Sequence, residues 1–202
     1  MTAKKQVLRL AFVFRGKIME IFDITQELLH GSVFEGDTSP ELIGRKSLEK
    51  DGVALSDLLL CLHNATHVDA PSHTLSEGAG VAGAALSVFF GECVVCRAEN
   101  AEKEFCDRML FKGAPPDAAL AQRLADRGIL LAGTQYPSFD KGESLEVHRI
   151  FARAGAFLLE NLKLEKVGEG KYILCAFPLK VDGAEASPVR AVLIRGISGI
   201  GL

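Results

Sequence analysis

The chain has 202 residues, of which 48% are hydrophobic and 24% are charged, and its formal net charge is −3. This composition is typical of one globular domain that buries its core without disulfides. No block of like charge runs through the sequence, so nothing indicates binding to nucleic acid or to a membrane surface.

The N-terminal region and the cysteines bear on the cellular compartment. The apolar stretch over 7–14 is interrupted by Arg9, is far shorter than the ~20 residues of a membrane helix, and is followed by no small-residue cleavage site. Five cysteines, an odd number in a chain of this length, suit a reducing compartment. We therefore expect a cytoplasmic protein.

Short apolar segments separated by glycine, proline and aspartate predict a mixture of strands and helices. We expect residues 1–18 to form a peripheral extension and residues 19–202 to form the domain. The predicted fold class is α/β, in a single domain. In chain order we predict strands over 20–25, 53–62, 92–98, 129–133, 156–160, 172–181 and 191–195, a loop over 31–40, and helices over 117–126 and 145–154.

Three local patterns refine these elements. Asp117 is a plausible N-cap for the first helix and Gly128 a plausible stop after it. The apolar run over 58–62 is typical of a strand that is covered on both faces. Cys93 and Cys96 form a lone C-x-x-C within a predicted strand, where positions three apart point to opposite faces. A zinc ribbon would need a second pair, so buried thiols are favoured.

A cluster of histidines is the strongest functional pattern in the chain. His63, His67 and His73 fall within eleven residues, together with Asp69. A helix would place the first two on one face, but Pro71 and several turn-forming residues favour a loop that leaves the end of a strand. Sites of α/β folds usually lie there.

Imidazoles and a carboxylate in this arrangement suit Zn(II), Mn(II) or Fe(II) and leave positions open for water. Such a metal lowers the pKa of water toward ~7, and His73 is then free to move protons. The alternative, a polar loop with unrelated histidines, is the minority interpretation.

The run over 63–73 resembles the signature H-x-G-T-H-x-D-x-P-x-H of the cyclase family, which includes bacterial kynurenine formamidases and isatin hydrolases. One position departs from it, because Ala65 stands where the family has glycine. The methyl group of alanine disfavours positive φ, which shifts the loop without removing a ligand. Further segments are similar to the family in the same order, namely 22–25 with 36–38, 138–140 with His148 and 160–162, 177–180, and 187–191.

The resemblance implies a compact α/β fold with layered mixed β-sheets and flanking helices, a swivelling β/β/α arrangement. It also implies a set of functional residues. His63, His67 and Asp69 bind one metal, Asp69 bridges to a second metal that His148 and Glu160 complete, and His73 acts as general acid and base. From the residues alone, His148 is expected to be solvated in a polar helix. Glu160 ends an apolar run, where a buried carboxylate needs a metal or another cation as partner. His30 has no motif context and is expected on the surface.

The resemblance also implies a metal-dependent amidohydrolase, with an arylformamidase acting on N-formylkynurenine as the first hypothesis. Zn(II), as one or two ions, is the expected cofactor and Mn(II) the alternative. Phe34, Asp37 and Phe139 are the candidate substrate-binding residues, although the chain lacks the tryptophan that kynurenine-specific relatives tend to use. A homodimer or homotetramer is expected. The open alternatives are a hydrolase of cyclic amides or lactones, as in isatin hydrolases, and a metal-binding relative without catalysis.

Overall fold

The computed structural model describes residues 9–14, 17–142 and 144–196. Residues 1–8 of the expected extension lie outside the described residues. The α-helices of the described part are α1 Leu48–Asp51, α2 Ala118–Asp126 and α3 Glu146–Arg153. Its strands are β1 Arg9–Phe14, β2 Lys17–Asp23, β3 Glu41–Lys46, β4 Leu55–Leu59, β5 His67–Asp69, β6 Phe90–Cys96, β7 Arg108–Phe111, β8 Leu131–Thr134, β9 Phe157–Glu160, β10 Gly170–Cys175, β11 Ala186–Pro188 and β12 Val192–Arg195.

Within these residues, ten strands form one mixed sheet in the order β1-β2-β12-β10-β6-β7-β8-β9-β5-β11, while β3 and β4 pair separately. The central strands β6 to β9 are parallel, and both flanks are antiparallel. This architecture confirms the predicted single α/β domain with mixed sheets.

Side chains of the sheet alternate between two buried apolar clusters, one on each face. Cys93 of β6 belongs to the first cluster and Cys96 to the second, which confirms that the two thiols point to opposite faces. Phe22 of β2 and Val68 of β5 both reach the first cluster although their strands lie near opposite ends of the sheet. The sheet therefore curls around that core.

The second cluster lies between the parallel strands and helices α2 and α3. Asp117 caps α2 as predicted, because its side chain accepts a hydrogen bond from the Leu120 N–H at 2.8 Å. Gly128 follows the helix at φ +80°, a left-handed conformation that glycine adopts without strain. No helix in the described part of the chain is long and apolar enough to cross a membrane.

The structure corrects two expectations about apolar segments. Arg9–Phe14, expected in a peripheral extension, forms the edge strand β1 and pairs with β2 over its whole length. The strand over 53–62, expected to be covered on both faces, is shorter and lies in the separate hairpin. There Leu58 is 48% exposed and Leu59 is 51% exposed, so the prediction of a covered strand is wrong for the single chain.

The histidine-rich run is also not a continuous loop. Its middle forms β5, which pairs with β9 on one side and β11 on the other, and a 3-10 turn begins at Pro71. Three residues are too few for an alternating pattern to be recognised in the sequence, so tertiary pairing decides this strand.

Candidate metal centre

Strand geometry places three of the predicted ligands on one face of the sheet. His67 and Asp69 are two residues apart on β5 and therefore point to the same side. Glu160 of β9 lies directly opposite His67 in the antiparallel register, while their neighbours Val68 and Leu159 point into the first apolar cluster. The Nε2 atom of His67 lies 3.6 Å from Glu160 Oε2 and 3.3 Å from Asp69 Oδ1.

Helix α3 brings His148 over the same face. Its Nε2 atom lies 3.2 Å from Glu160 Oε1 and 3.7 Å from Asp69 Oδ2. The side chain of His148 is only 4% exposed, so the expectation of a solvated histidine, drawn from the polar sequence of the helix, is wrong. The helix turns its apolar residues and this histidine toward the sheet together.

His63 reaches the site from the turn that precedes β5. Its Nδ1 atom lies 2.9 Å from Asp69 Oδ1, and its ring lies 4.5 Å from the ring of His73, centroid to centroid. The turn is held at Ala65, whose φ is +53°, the left-handed conformation that the glycine of the family signature adopts more easily. Asn161 supports it by donating from Nδ2 to the Ala65 carbonyl oxygen at 2.9 Å.

The ligand atoms fall into two groups that share Asp69. One group is His63, Asp69 and His73, the other is His67, Asp69 and Glu160, and within each the atoms lie within 4.8 Å of one another. Asp69 Oδ1 is buried and has no hydrogen-bond partner among the described residues, although two imidazole nitrogens surround it. A carboxylate oxygen left without a bond is costly. This donor set fits one or two divalent cations.

Each imidazole of the predicted ligand set, at His63, His67 and His148, has an outer partner at the nitrogen that faces away from the cluster. The Ala65 carbonyl oxygen lies 2.9 Å from His67 Nδ1, and Asp140 Oδ2 lies 2.6 Å from His148 Nδ1. Glu185 Oε1 lies 3.3 Å from His63 Nε2. Such partners fix the tautomer and orientation of a metal ligand. The sequence indicated Asp140 only as part of a family-like segment and gave no indication of Glu185, because both contacts depend on tertiary packing.

The charges of the site strongly perturb its protonation. Burial opposes a charged imidazole, but the carboxylates of Asp69 and Glu160 raise the pKa of His67 to about 9 and that of His148 to about 11. Burial also opposes ionisation of Asp69, yet the surrounding imidazoles hold its pKa well below the usual range. Burial lowers the pKa of His73 and so favours the neutral ring, the form that has a lone pair to take a proton.

A small recess extends from the cluster beneath helix α3. Its volume is about 10 Å³, and it is lined by Asp69, His73, His148, Ala152 and Ala156, among others. This is room for about one water molecule. The recess therefore places a water-sized space beside the imidazole that the sequence assigned to proton transfer.

The three expected substrate-binding residues lie in different environments. Phe34 is 56% exposed, and Asp37 lies close to it, where its carboxylate contacts the Cys61 thiol two residues before His63. Phe139 is 3% exposed and packs edge-on against His148 at 6.3 Å. Its backbone N–H donates to Glu160 Oε1 at 3.0 Å. Phe139 thus supports two predicted ligands from the core, and His30 is exposed as expected.

Comparisons with known proteins agree with this geometry. Residues 22–111 match the model of a family described as "Putative cyclase". The chain is 35% identical over 206 residues to a protein from Paracidovorax citrulli named kynurenine formamidase, with 86% of this chain and 95% of the relative covered.

Two solved structures share the fold. One, described as a potential metal-dependent hydrolase with cyclase activity, has a TM-score of 0.75 at 23% identity and covers 89% of this chain and all of its own. The other is an isatin hydrolase bound to the product analogue thioisatinate, with a TM-score of 0.76 at 19% identity and coverage of 89% and 93%.

Proposed function

The chain belongs to the cyclase family of metal-dependent hydrolases, and from this premise we propose that it is an arylformamidase that converts N-formylkynurenine to kynurenine and formate. The observation that carries the proposal is that two candidate ligand groups share the buried Asp69, whose Oδ1 atom has no hydrogen-bond partner among the described residues. One group includes His73, which the family resemblance assigns to proton transfer and not to metal binding. The 35% sequence identity to a protein named kynurenine formamidase, in an alignment that covers 95% of that relative, supports the choice of substrate.

In this proposal His63, His67 and Asp69 hold one ion, and Asp69, His148 and Glu160 hold a second where two bind. Zn(II) is the expected metal and Mn(II) the alternative, because both accept imidazole and carboxylate ligands. When bound, the metal polarises the scissile carbonyl and makes water nucleophilic near neutral pH. The burial of His67, Asp69 and Glu160, each 2–3% exposed, keeps bulk water away from these charges.

His73 is assigned to proton transfer. Burial lowers its pKa and so favours the neutral ring, which borders the water-sized recess and the metal-facing ring of His63. The Nδ1 or Nε2 lone pair of His73 takes the proton of the attacking water, and the same nitrogen then delivers it to the leaving aryl amine. General acid–base catalysis of this kind contributes about 10²–10⁴-fold to a rate.

Residues near the His63 end of the site are assigned to the aryl part of the substrate. Phe34 offers an exposed ring, and the Asp37 N–H donates to the Phe34 carbonyl oxygen at 3.1 Å. Burial and the Asp37 carboxylate raise the pKa of the Cys61 thiol, two residues before His63. An aromatic face and an aryl group pack favourably when partly removed from water. Phe139 acts from beneath, by packing against His148 and by donating its backbone N–H to Glu160.

The proposed enzyme works in the cytoplasm as a homodimer or homotetramer. The five free thiols suit a reducing compartment. The exposed leucines of the β3–β4 hairpin support association of subunits, since a contiguous apolar patch of a soluble protein usually marks an interface.

The test is an assay of purified protein that has been stripped of metal and then reloaded separately with Zn(II) and Mn(II). N-formylkynurenine is compared with isatin and with an aryl lactone at equal concentration. We expect metal-restored turnover of N-formylkynurenine with kcat of roughly 1–10³ s⁻¹. Metal-restored turnover of isatin or the lactone alone would move the assignment to a cyclic amide or lactone hydrolase. Metal binding without turnover of any of the three would leave a metal-binding relative without catalysis.

A further inference from the structure

Asp140 connects the start of helix α3 to the metal centre. Its carboxylate is 4% exposed and accepts two backbone hydrogen bonds, from the Val147 N–H at 2.9 Å and from the His148 N–H at 3.1 Å. The same Oδ2 atom lies 2.6 Å from Nδ1 of the His148 ring. One buried carboxylate thus contacts both the backbone and the side chain of a single predicted ligand.

This contact dictates which nitrogen of His148 can bind metal. A carboxylate oxygen only accepts hydrogen bonds, so Nδ1 must keep a proton, and Nε2 is the nitrogen that can lose its proton and present a lone pair to a metal. Nε2 is the atom that faces Glu160 and Asp69, at 3.2 and 3.7 Å. Resting on the proposed function, we propose that Asp140 is a positioning residue that fixes the tautomer and orientation of His148 and thereby controls occupancy of the ion shared by His148, Asp69 and Glu160.

The influence of Asp140 is confined to one of the three imidazoles. His67 uses the Ala65 carbonyl as its outer partner and His63 uses Glu185, so neither ring depends on Asp140. Glu185 is a weaker partner, since its side chain is 42% exposed and lies 3.3 Å away. Loss of the Asp140 carboxylate is therefore expected to act on one part of the centre and to leave the His63 part in place.

Asp140 differs from an ordinary helix cap in this second contact. Asp117 caps α2 through the Leu120 N–H, and it contacts no residue of the site. Leu145 is the N-cap residue of α3 and makes no side-chain cap bond. Asp140, seven residues before Val147 in the sequence, caps the helix in its place. Asp117→Asn is consequently a matched control for the capping contribution alone.

The experiment compares the parent protein, Asp140→Asn and Asp117→Asn after removal of metal, with Zn(II) titrated into each by calorimetry. Asparagine has nearly the same shape but no charge, so its hydrogen bond to the His148 Nδ1–H is weaker than that of the carboxylate. We expect the apparent affinity for at least one ion to fall by about 10–100-fold in Asp140→Asn, as for other outer partners of metal ligands. Asp117→Asn keeps an oxygen for the Leu120 N–H, so it is expected to change stability little and to lose affinity for no ion.

The outcomes separate this proposal from the proposed function. If the parent protein binds no Zn(II), both the proposed function and the positioning role of Asp140 are wrong. A parent that binds Zn(II), with Asp140→Asn binding every ion as tightly, overturns the positioning role and keeps the metal centre. As a measurement that needs no variant, ¹⁵N-histidine NMR of the Zn(II)-loaded parent should show His148 protonated at Nδ1 and coordinated through Nε2. The opposite tautomer overturns the proposal even if Asp140→Asn does not fold.

Discussion

The methyl group of Ala65 occupies the space that a side chain on Gly31 would need. A Cβ atom built on Gly31 would lie 2.6 Å from Ala65 Cβ and 2.7 Å from the Glu27 carbonyl oxygen. The Ala65 N–H donates to the carbonyl oxygen of Ser32, so the two segments are also joined by a hydrogen bond. The residue that departs from the family signature is therefore accommodated by a glycine from a distant turn.

We predict that Gly31→Ala lowers the free energy of unfolding by about 1–3 kcal/mol, the usual cost of overpacking. The backbone of Gly31 is extended, so crowding and not φ is the cause. Urea unfolding of the metal-free protein measures the change. Gly83→Ala is the control, because a Cβ there meets nothing within 4 Å. Equal stability of the Gly31 variant and the control would contradict the prediction.

Ala65→Gly is expected to reduce the cost of Gly31→Ala. Glycine removes the steric cost of the left-handed conformation at φ +53°, but it also increases the conformational entropy of the unfolded chain. The free energy of unfolding of Ala65→Gly alone should therefore stay within about 1 kcal/mol of that of the parent. A double-mutant cycle measures the coupling between the two positions. Part of the cost should remain, because the Glu27 carbonyl still faces the new methyl group. Simple additivity would show that the two residues do not compete for space.

His73→Ala is predicted to lower kcat by about 10²–10⁴-fold while the bound metal per chain stays unchanged. The ring borders the recess and stacks near His63, but no outer partner among the described residues holds it as the other rings are held. Turnover and metal content of the same preparation decide the point. His30→Ala, a change at an exposed histidine, should alter neither. Loss of metal from the His73 variant would instead make His73 a ligand.

The sequence predicted helices α2 and α3 and the central strands β6, β8 and β9 because their patterns are local, but it missed the central strand β7. The N-cap Asp117 and the alternation around Cys93 and Cys96 need no knowledge of distant residues. The hairpin strand β4 was misjudged because an apolar run indicates burial without saying by what. Leu58 and Leu59 of that run are about half exposed in the described part of the chain.

The candidate site was likewise predicted in part from local sequence patterns, while the rest of it depends on contacts between distant residues. The family-like run supplied His63, His67 and Asp69 directly. The common face of His67 and Asp69 depends on the three-residue strand β5, which has too little pattern to be recognised. Asp140 and Glu185 became apparent only when packing brought them to His148 and His63. Outer partners of ligands carry no signature of their own because any acceptor at the right place suffices.

We predict that the metal-free protein loses stability as the pH rises from about 7 to 10. Carboxylates raise the pKa of His67 to about 9 and of His148 to about 11 against the burial that opposes them, and unfolding returns both to about 6.5. Their contribution is fully present below the unfolded pKa and is lost as pH rises through the folded values. Metal requires the neutral rings, so the stabilisation by Zn(II) should grow over the same range.

Thermal unfolding with and without Zn(II) across this range measures both trends. His148→Gln is the control, because it removes the ring with the higher pKa and should flatten the alkaline loss of the metal-free protein. A metal-free parent whose stability follows that of His148→Gln at every pH would contradict the assigned charges.

The β3–β4 hairpin leads to a prediction about assembly. Leu42 and Leu58 lie directly opposite each other in the register and are 57% and 48% exposed, with Leu55 and Leu59 also exposed nearby. We expect the parent to sediment at two or four times the chain mass of 21.7 kDa. Leu58→Glu should yield monomers, because a buried unpaired charge opposes association. Leu86→Glu, at a leucine that is 68% exposed elsewhere, should leave the mass unchanged. A monomeric parent would contradict the proposed assembly, and an assembled Leu58 variant would place its interface on another surface.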